Sequence, residues 1–121
     1  MDNKAAASSP SPQEVEKMLR DYQMVQEQIR SFGLQGEQLQ VQKNELQTAK
    51  EEVGNSTGKV YVTIGGVIIE TSRDTALKNI SEKSETNEVR LQSVNKQLNE
   101  LKSREKSLRE KITQISNSMQ Q

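Results

Sequence analysis

Apolar side chains recur at alternating steps of three and four along nearly all of this chain, and that period decides most of what it can become. The first series runs Val15, Met18, Tyr22, Val25, Ile29, Phe32, Leu39, Leu46 and Val53, with Gly36, Lys43 and Lys50 at the remaining positions of the repeat. The second runs Leu77, Ile80, Leu91, Val94, Leu98, Leu101, Leu108, Ile112, Ile115 and Met119, interrupted by Ser84, Asn87 and Glu105. A repeat of this kind held over many turns places one narrow apolar stripe on a helix, the seam of a coiled coil. Such a stripe suits a partner helix and cannot fill a round core. Composition agrees: only 31% of the 121 residues are hydrophobic and 28% are charged, where a compact domain is roughly half apolar.

Four pieces follow. Residues 1–10, rich in Ala, Ser and Pro, read as a disordered tail. At Ser11-Pro12-Gln13-Glu14, Ser11 can cap a helix, Pro12 fits its first position, and Glu14 can close a capping box. That helix is expected to stop at Gly54-Asn55-Ser56-Thr57-Gly58. Val60-Tyr61-Val62-Thr63-Ile64 and Val67-Ile68-Ile69-Glu70-Thr71 flank Gly65-Gly66 and read as a β-hairpin at about 59–71. From Ser72, with Thr71 or Ser72 as cap and Asp74 in the first turn, the second helix resumes the period. Glu16–Arg20 is an i,i+4 pair outside the seam, and Glu100–Arg104 and Glu105–Arg109 are good i,i+4 pairs on the second helix.

The expected fold class is therefore mainly α: over residues 11–121, an antiparallel two-helix coiled coil with a single β-hairpin at its closed end. The hairpin sets the register. Val53 should face Leu77, Leu46 Ser84, Leu39 Leu91, Phe32 Leu98 and Met18 Ile112, leaving one polar layer of Lys43 and Asn87. Gly33 and Gly36 are each about 1 kcal/mol worse than Ala inside a helix. The seam nevertheless keeps its phase from Phe32 to Leu39, so a continuous helix with a local soft spot is expected. A lone hairpin is marginal in water, and its open edges recruit other strands. Val60, Val62, Ile64, Val67, Ile68 and Ile69 are therefore expected to carry subunit assembly, with hairpins from several chains joining into a β-barrel hub.

Several functions are unsupported. The chain has no Cys and no His, which removes disulfides, thiolate or imidazole nucleophiles and the usual zinc ligand sets. Lys plus Arg and Asp plus Glu are both 17, a poor footprint for nucleic acid. The longest wholly apolar run is Val67-Ile68-Ile69, far too short for a bilayer, and Met1-Asp2-Asn3-Lys4 lacks the apolar stretch of a secretory signal. A cytoplasmic protein with no membrane partner is expected. Gly54 to Val60 superficially resembles a phosphate loop, but it has three residues between its glycines and Val after the Lys. No cofactor, metal or enzymatic activity is expected.

The order helix, Tyr-x-x-Ile-Gly strand, apolar strand and second long helix resembles the beta-type subunits of the prefoldin family. The matching stretch is Val60-Tyr61-Val62-Thr63-Ile64-Gly65-Gly66-Val67-Ile68-Ile69-Glu70-Thr71, continuing through Ser72-Arg73-Asp74-Thr75-Ala76-Leu77. Glu85-Thr86-Asn87-Glu88-Val89-Arg90-Leu91 also looks like the family's second helix, and Gly65-Gly66-Val67 is similar to the eukaryotic subunit 2 pattern. One hairpin, not two, is what marks the family's beta type. The resemblance implies a hetero-hexamer of two alpha-type and four beta-type subunits. It further implies a molecular chaperone that works without ATP, holds unfolded proteins and delivers them to a group II chaperonin.

A holding chaperone needs apolar surface that binds many sequences weakly. The free tip of the coiled coil offers Val15, Met18, Leu19, Tyr22 and Met24 opposite Leu108, Ile112, Ile115 and Met119 as candidate client contacts. Leu19 and Met24 lie off the seam, and Met is flexible and polarizable. Leu34, Val41 and Val89, also off the seam, are weaker candidates. The alternative is a generic homodimeric coiled-coil scaffold that tethers partners without chaperone activity. The two part at the hairpin: a scaffold keeps its assembly state when Ile64 and Ile68 become polar, whereas a hairpin-assembled subunit does not.

Overall fold

A computed structural model describes residues 10–119. The tail expected over 1–10 lies outside the described residues except for Pro10. Four elements follow in order: helix α1 (Pro12–Asn55), strands β1 (Val60–Ile64) and β2 (Val67–Thr71), and helix α2 (Arg73–Met119). These residues form two compact units, each described by itself: a terminal unit of residues 10–33 and 96–119, and a hairpin unit of residues 34–95.

Helix α1 starts as its sequence dictates. The Ser11 amide donates to Glu14 Oε2 at 3.3 Å, and the Glu14 amide donates to Ser11 Oγ at 3.2 Å. This is a reciprocal capping box with Pro12 as the first helical residue. The helix runs unbroken through Gly33 and Gly36. At α2 it is Ser72, rather than Thr71, that caps: the Thr75 amide donates to Ser72 Oγ at 3.1 Å. The Arg73 guanidinium donates to the Gly54 carbonyl. It thus brings a cation to the carbonyl-rich end of α1, where the helix dipole favours one.

In the terminal unit, Tyr22 of α1 bonds Glu105 of α2, and Val15 shares a groove with Ile115 and Met119. Rising numbers on one helix meet falling numbers on the other, so the pair is antiparallel. Val25 is 1% exposed and marks the tightest point of the seam. Ile29, Phe32, Leu98, Leu101 and Leu108 are half-buried along it. The hairpin unit has the same sense: Leu39 meets Asn87, and further along α1 Gly54 meets Arg73. Its buried residues are Val60, Ala76, Asn87, Leu91 and Val94.

The polar layer expected from Lys43 and Asn87 is resolved differently. Asn87 stays in the seam, 5% exposed, and its Nδ2 donates to the Leu39 carbonyl at 3.0 Å. Lys43 turns outward and pairs with Glu88 at 3.4 Å. An ammonium kept in a narrow seam would lose its hydration without a charged partner, whereas an amide can use a backbone carbonyl. Lys50 is likewise exposed, and the small Ala49 is half-buried beside it. Of the three i,i+4 pairs, Glu105–Arg109 closes at 3.3 Å. The other two are not closed among the described residues, as suits exposed pairs that gain little against side-chain entropy.

Candidate interaction surfaces

β1 and β2 pair antiparallel, with Val60 opposite Thr71, Tyr61 opposite Glu70, Val62 opposite Ile69, Thr63 opposite Ile68 and Ile64 opposite Val67. The connection is the two-residue turn Gly65-Gly66, with φ of 56° and 81°. Positive φ at both positions is what a type I′ turn requires, and its twist matches the flanking strands. Side chains alternate across the ribbon. One face therefore carries Val60, Val62, Ile64, Val67, Ile69 and Thr71, nearly all apolar. The other carries Tyr61, Thr63, Ile68 and Glu70. Only the base of the apolar face is covered: Val60 is buried and Val62 half-buried, whereas Ile64, Val67 and Ile69 are exposed. On the second face Ile68 is 71% exposed. The six residues expected to carry assembly thus divide five to one between the two faces.

In the terminal unit, two grooves share the wall made by Val15, Ile115 and Met119. One adds Leu19, Ile112 and Ser116; the other adds Pro10, Pro12, Gln114 and Ser118. The capping box explains the prolines, because it folds Ser11 back onto the first turn beside Val15. Five of the nine candidate client residues, Val15, Leu19, Ile112, Ile115 and Met119, are therefore brought together. Met119 is 79% and Leu19 44% exposed. Met18 and Leu108 are half-buried in the seam, and Met24 is exposed but lines neither groove. Pro10, Pro12 and the small polar residues of α2 were not among the sequence candidates. Only the proximity of the Ser-Pro cap to Val15 signals them.

Tyr22 differs from its neighbours. Its hydroxyl donates to Glu105 Oε1 at 3.1 Å, and Arg109 Nη1 donates to the same oxygen at 3.3 Å. Desolvation raises the phenol above its ordinary pKa; the hydrogen bond to Glu105 and the charge of Glu105 add to this, while Arg109 acts the other way. Glu105, the one acidic residue at a seam position, is thereby supplied with two donors.

The hairpin unit has its own groove, along Gln42, Glu45, Leu46 and Ala49 of α1 and Asn79, Glu82, Lys83, Thr86, Asn87 and Arg90 of α2. It lies where polar residues interrupt the repeat, with Asn87 on its wall and Leu46 half-buried beside it. Leu34, Val41 and Val89 are exposed. The Gly54–Val60 segment leaves a helix and enters a strand, the reverse of a phosphate-loop context. Among the described residues no helix is long and apolar enough to cross a membrane.

Comparison with known proteins finds relatives of the chain. A family model described as prefoldin subunit matches residues 16–118. The prefoldin subunit beta of Pyrococcus furiosus is 34% identical over 103 residues, covering 84% of this chain and 88% of its own length. That of Methanosarcina acetivorans is 29% identical over 109 residues, covering 88% and 93%. Among solved structures, the prefoldin beta subunit from Thermococcus strain KS-1 is similar with a TM-score of 0.78 at 31% identity, over 86% of this chain and 92% of that one.

Proposed function

Because this chain belongs to the prefoldin family of chaperone subunits, we propose that it is a beta-type subunit of an ATP-independent holding chaperone. It binds unfolded proteins at the grooves of its terminal unit. It assembles through its hairpin into a hetero-hexamer of two alpha-type and four beta-type subunits, which passes clients to a group II chaperonin in the cytoplasm. Family membership supports the assembly and the handover.

The observation that carries client binding is the pair of grooves walled by Val15, Ile115 and Met119, with Leu19 and Met119 uncovered. Apolar side chains held open at a helix end offer many sequences a weak contact, and several such ends in one assembly multiply it by avidity. Polar replacement of Leu19, Met24 and Met119 together is expected to weaken suppression of client aggregation while native mass stays that of the wild-type assembly. Undiminished suppression by an intact assembly would refute the reading. A homodimeric scaffold leaves Ile64, Val67 and Ile69 facing water for no purpose.

A further inference from the structure

Val25 is the one buried position of the terminal seam among the described residues; Ile29, Phe32, Leu98 and Leu101 inward of it are half-buried. Outward of it Tyr22, Met18 and Val15 on α1 are half-buried too, as are Glu105, Leu108, Ile112 and Ile115 on α2. Directly outward of Val25 stand Tyr22, Glu105 and Arg109, joined through Glu105 Oε1. Among the described residues of this unit, Tyr22–Glu105 is the one side-chain hydrogen bond that crosses from one helix to the other. Every other tie between the helices outward of Val25 is apolar contact, which is non-directional and slides or loosens by degrees. A hydrogen bond is satisfied in one geometry and lost outside it.

We propose that Tyr22, Glu105 and Arg109 form a latch that sets how far inward the terminal seam opens, and thereby how much apolar surface a client is offered. With the latch closed, fraying is confined to the turns carrying Val15, Met18, Ile112, Ile115 and Met119. With it broken, the opening runs inward to the Val25 layer and adds Tyr22 and Leu108 to the exposed surface. Glu105 suits the task because its carboxylate at a seam position favours water over an apolar neighbour once the phenol lets go. Arg109, one turn along α2, holds that carboxylate toward Tyr22. These are positioning residues: they govern the surface without themselves having to touch a client. The coupling to clients rests on the proposed function; the latch itself does not.

The chain has no Cys, so spin labels can be placed cleanly. One pair, Gln13→Cys with Asn117→Cys, reports on the outer turns; a second, Gln28→Cys with Gln97→Cys, reports on the seam inward of Val25. All four positions are exposed. Distances are read in the full assembled protein, with labelled copies diluted by unlabelled ones. Tyr22→Phe keeps the ring and loses only the hydroxyl. It should enlarge the long-distance population of the outer pair about tenfold, the effect of one charge-assisted hydrogen bond, and leave the inner pair unchanged. Tyr22→Phe combined with Glu105→Leu restores an apolar layer and should return the outer pair to its wild-type distribution. An outer pair indifferent to Tyr22→Phe overturns the latch, as does broadening of both pairs alike or failure of the double variant to restore closure. None of these readings uses a client. If the labels behave as expected while the Leu19, Met24 and Met119 variant suppresses aggregation normally, the client-binding proposal fails and the latch stands.

Discussion

At the scale of single residues, two polar side chains of the seam, Tyr22 and Asn87, behave differently, and each difference is measurable. The Tyr22 phenol is held above its ordinary pKa by desolvation first and then by Glu105, against the opposing Arg109. The protonated form is thus favoured in the folded state. The stability it contributes is complete below about pH 10 and is lost as pH rises through the raised value. Wild-type protein should therefore lose more stability than Tyr22→Phe as pH rises above about 10, in denaturant titrations at each pH; parallel losses would show that the phenol carries none of it. Asn87 uses its amide N–H on Leu39 while its Oδ1 is buried with no partner. An orphaned buried acceptor costs about 1–3 kcal/mol. Asn87→Leu should accordingly raise the unfolding free energy by about 1 kcal/mol, and a drop would mean that the amide contributes more than it costs. The sequence placed Asn87 in the seam correctly and misplaced Lys43. Heptad position does not say whether a polar side chain has a partner within reach, and Lys43 found Glu88 outside the seam.

Elements obey local chemistry more legibly. The cap of α1, its end, the strand limits and the two-residue turn were readable, because Ser-Pro-x-Glu, Gly-rich stops and Gly-Gly between β-branched runs each have a single well-favoured conformation; the cap of α2 was left between Thr71 and Ser72, and Ser72 takes it. The grooves were not, because they depend on which side chains come together across the unit: Leu46 with Asn79, Lys83 and Thr86, or Pro10 beside Val15. At the turn, Gly65→Asn should be nearly neutral, since Asn suits the first position of a type I′ turn. Gly66→Val should cost about 1–2 kcal/mol, the penalty of a left-handed backbone for a side-chain-bearing residue, visible as a lower melting point of the assembly. In α1 a Cβ added at Gly33 meets nothing within 4 Å. Gly33→Ala should then stabilise the helix by up to about 1 kcal/mol and slow amide exchange over residues 31–37. In the wild type, that stretch should exchange faster than 44–50. Equal rates would show that the glycines leave no soft spot.

For the whole molecule, the hairpin separates an assembled subunit from a free-standing coiled coil. Strand pairing puts Ile64 and Ile69 on the same exposed face, a refinement the sequence alone did not supply, since it weighted Ile68 equally. Ile64→Ser with Ile69→Ser should break the assembly. Native mass should fall from roughly 80 kDa, six subunits of similar size, while helix content is retained. A mass unmoved by that change would return the generic scaffold to first place. One practical consequence comes from the grooves. Pro10 and Met119 wall the same groove, so an affinity tag or fluorescent protein attached at either of these residues begins within reach of it, tethered by a short linker at high local concentration. Such a fusion can act as a competing ligand and dull the very activity being assayed. The loop of residues 56–59, between α1 and β1, lines neither terminal groove and is the better site for an internal label when binding is to be measured.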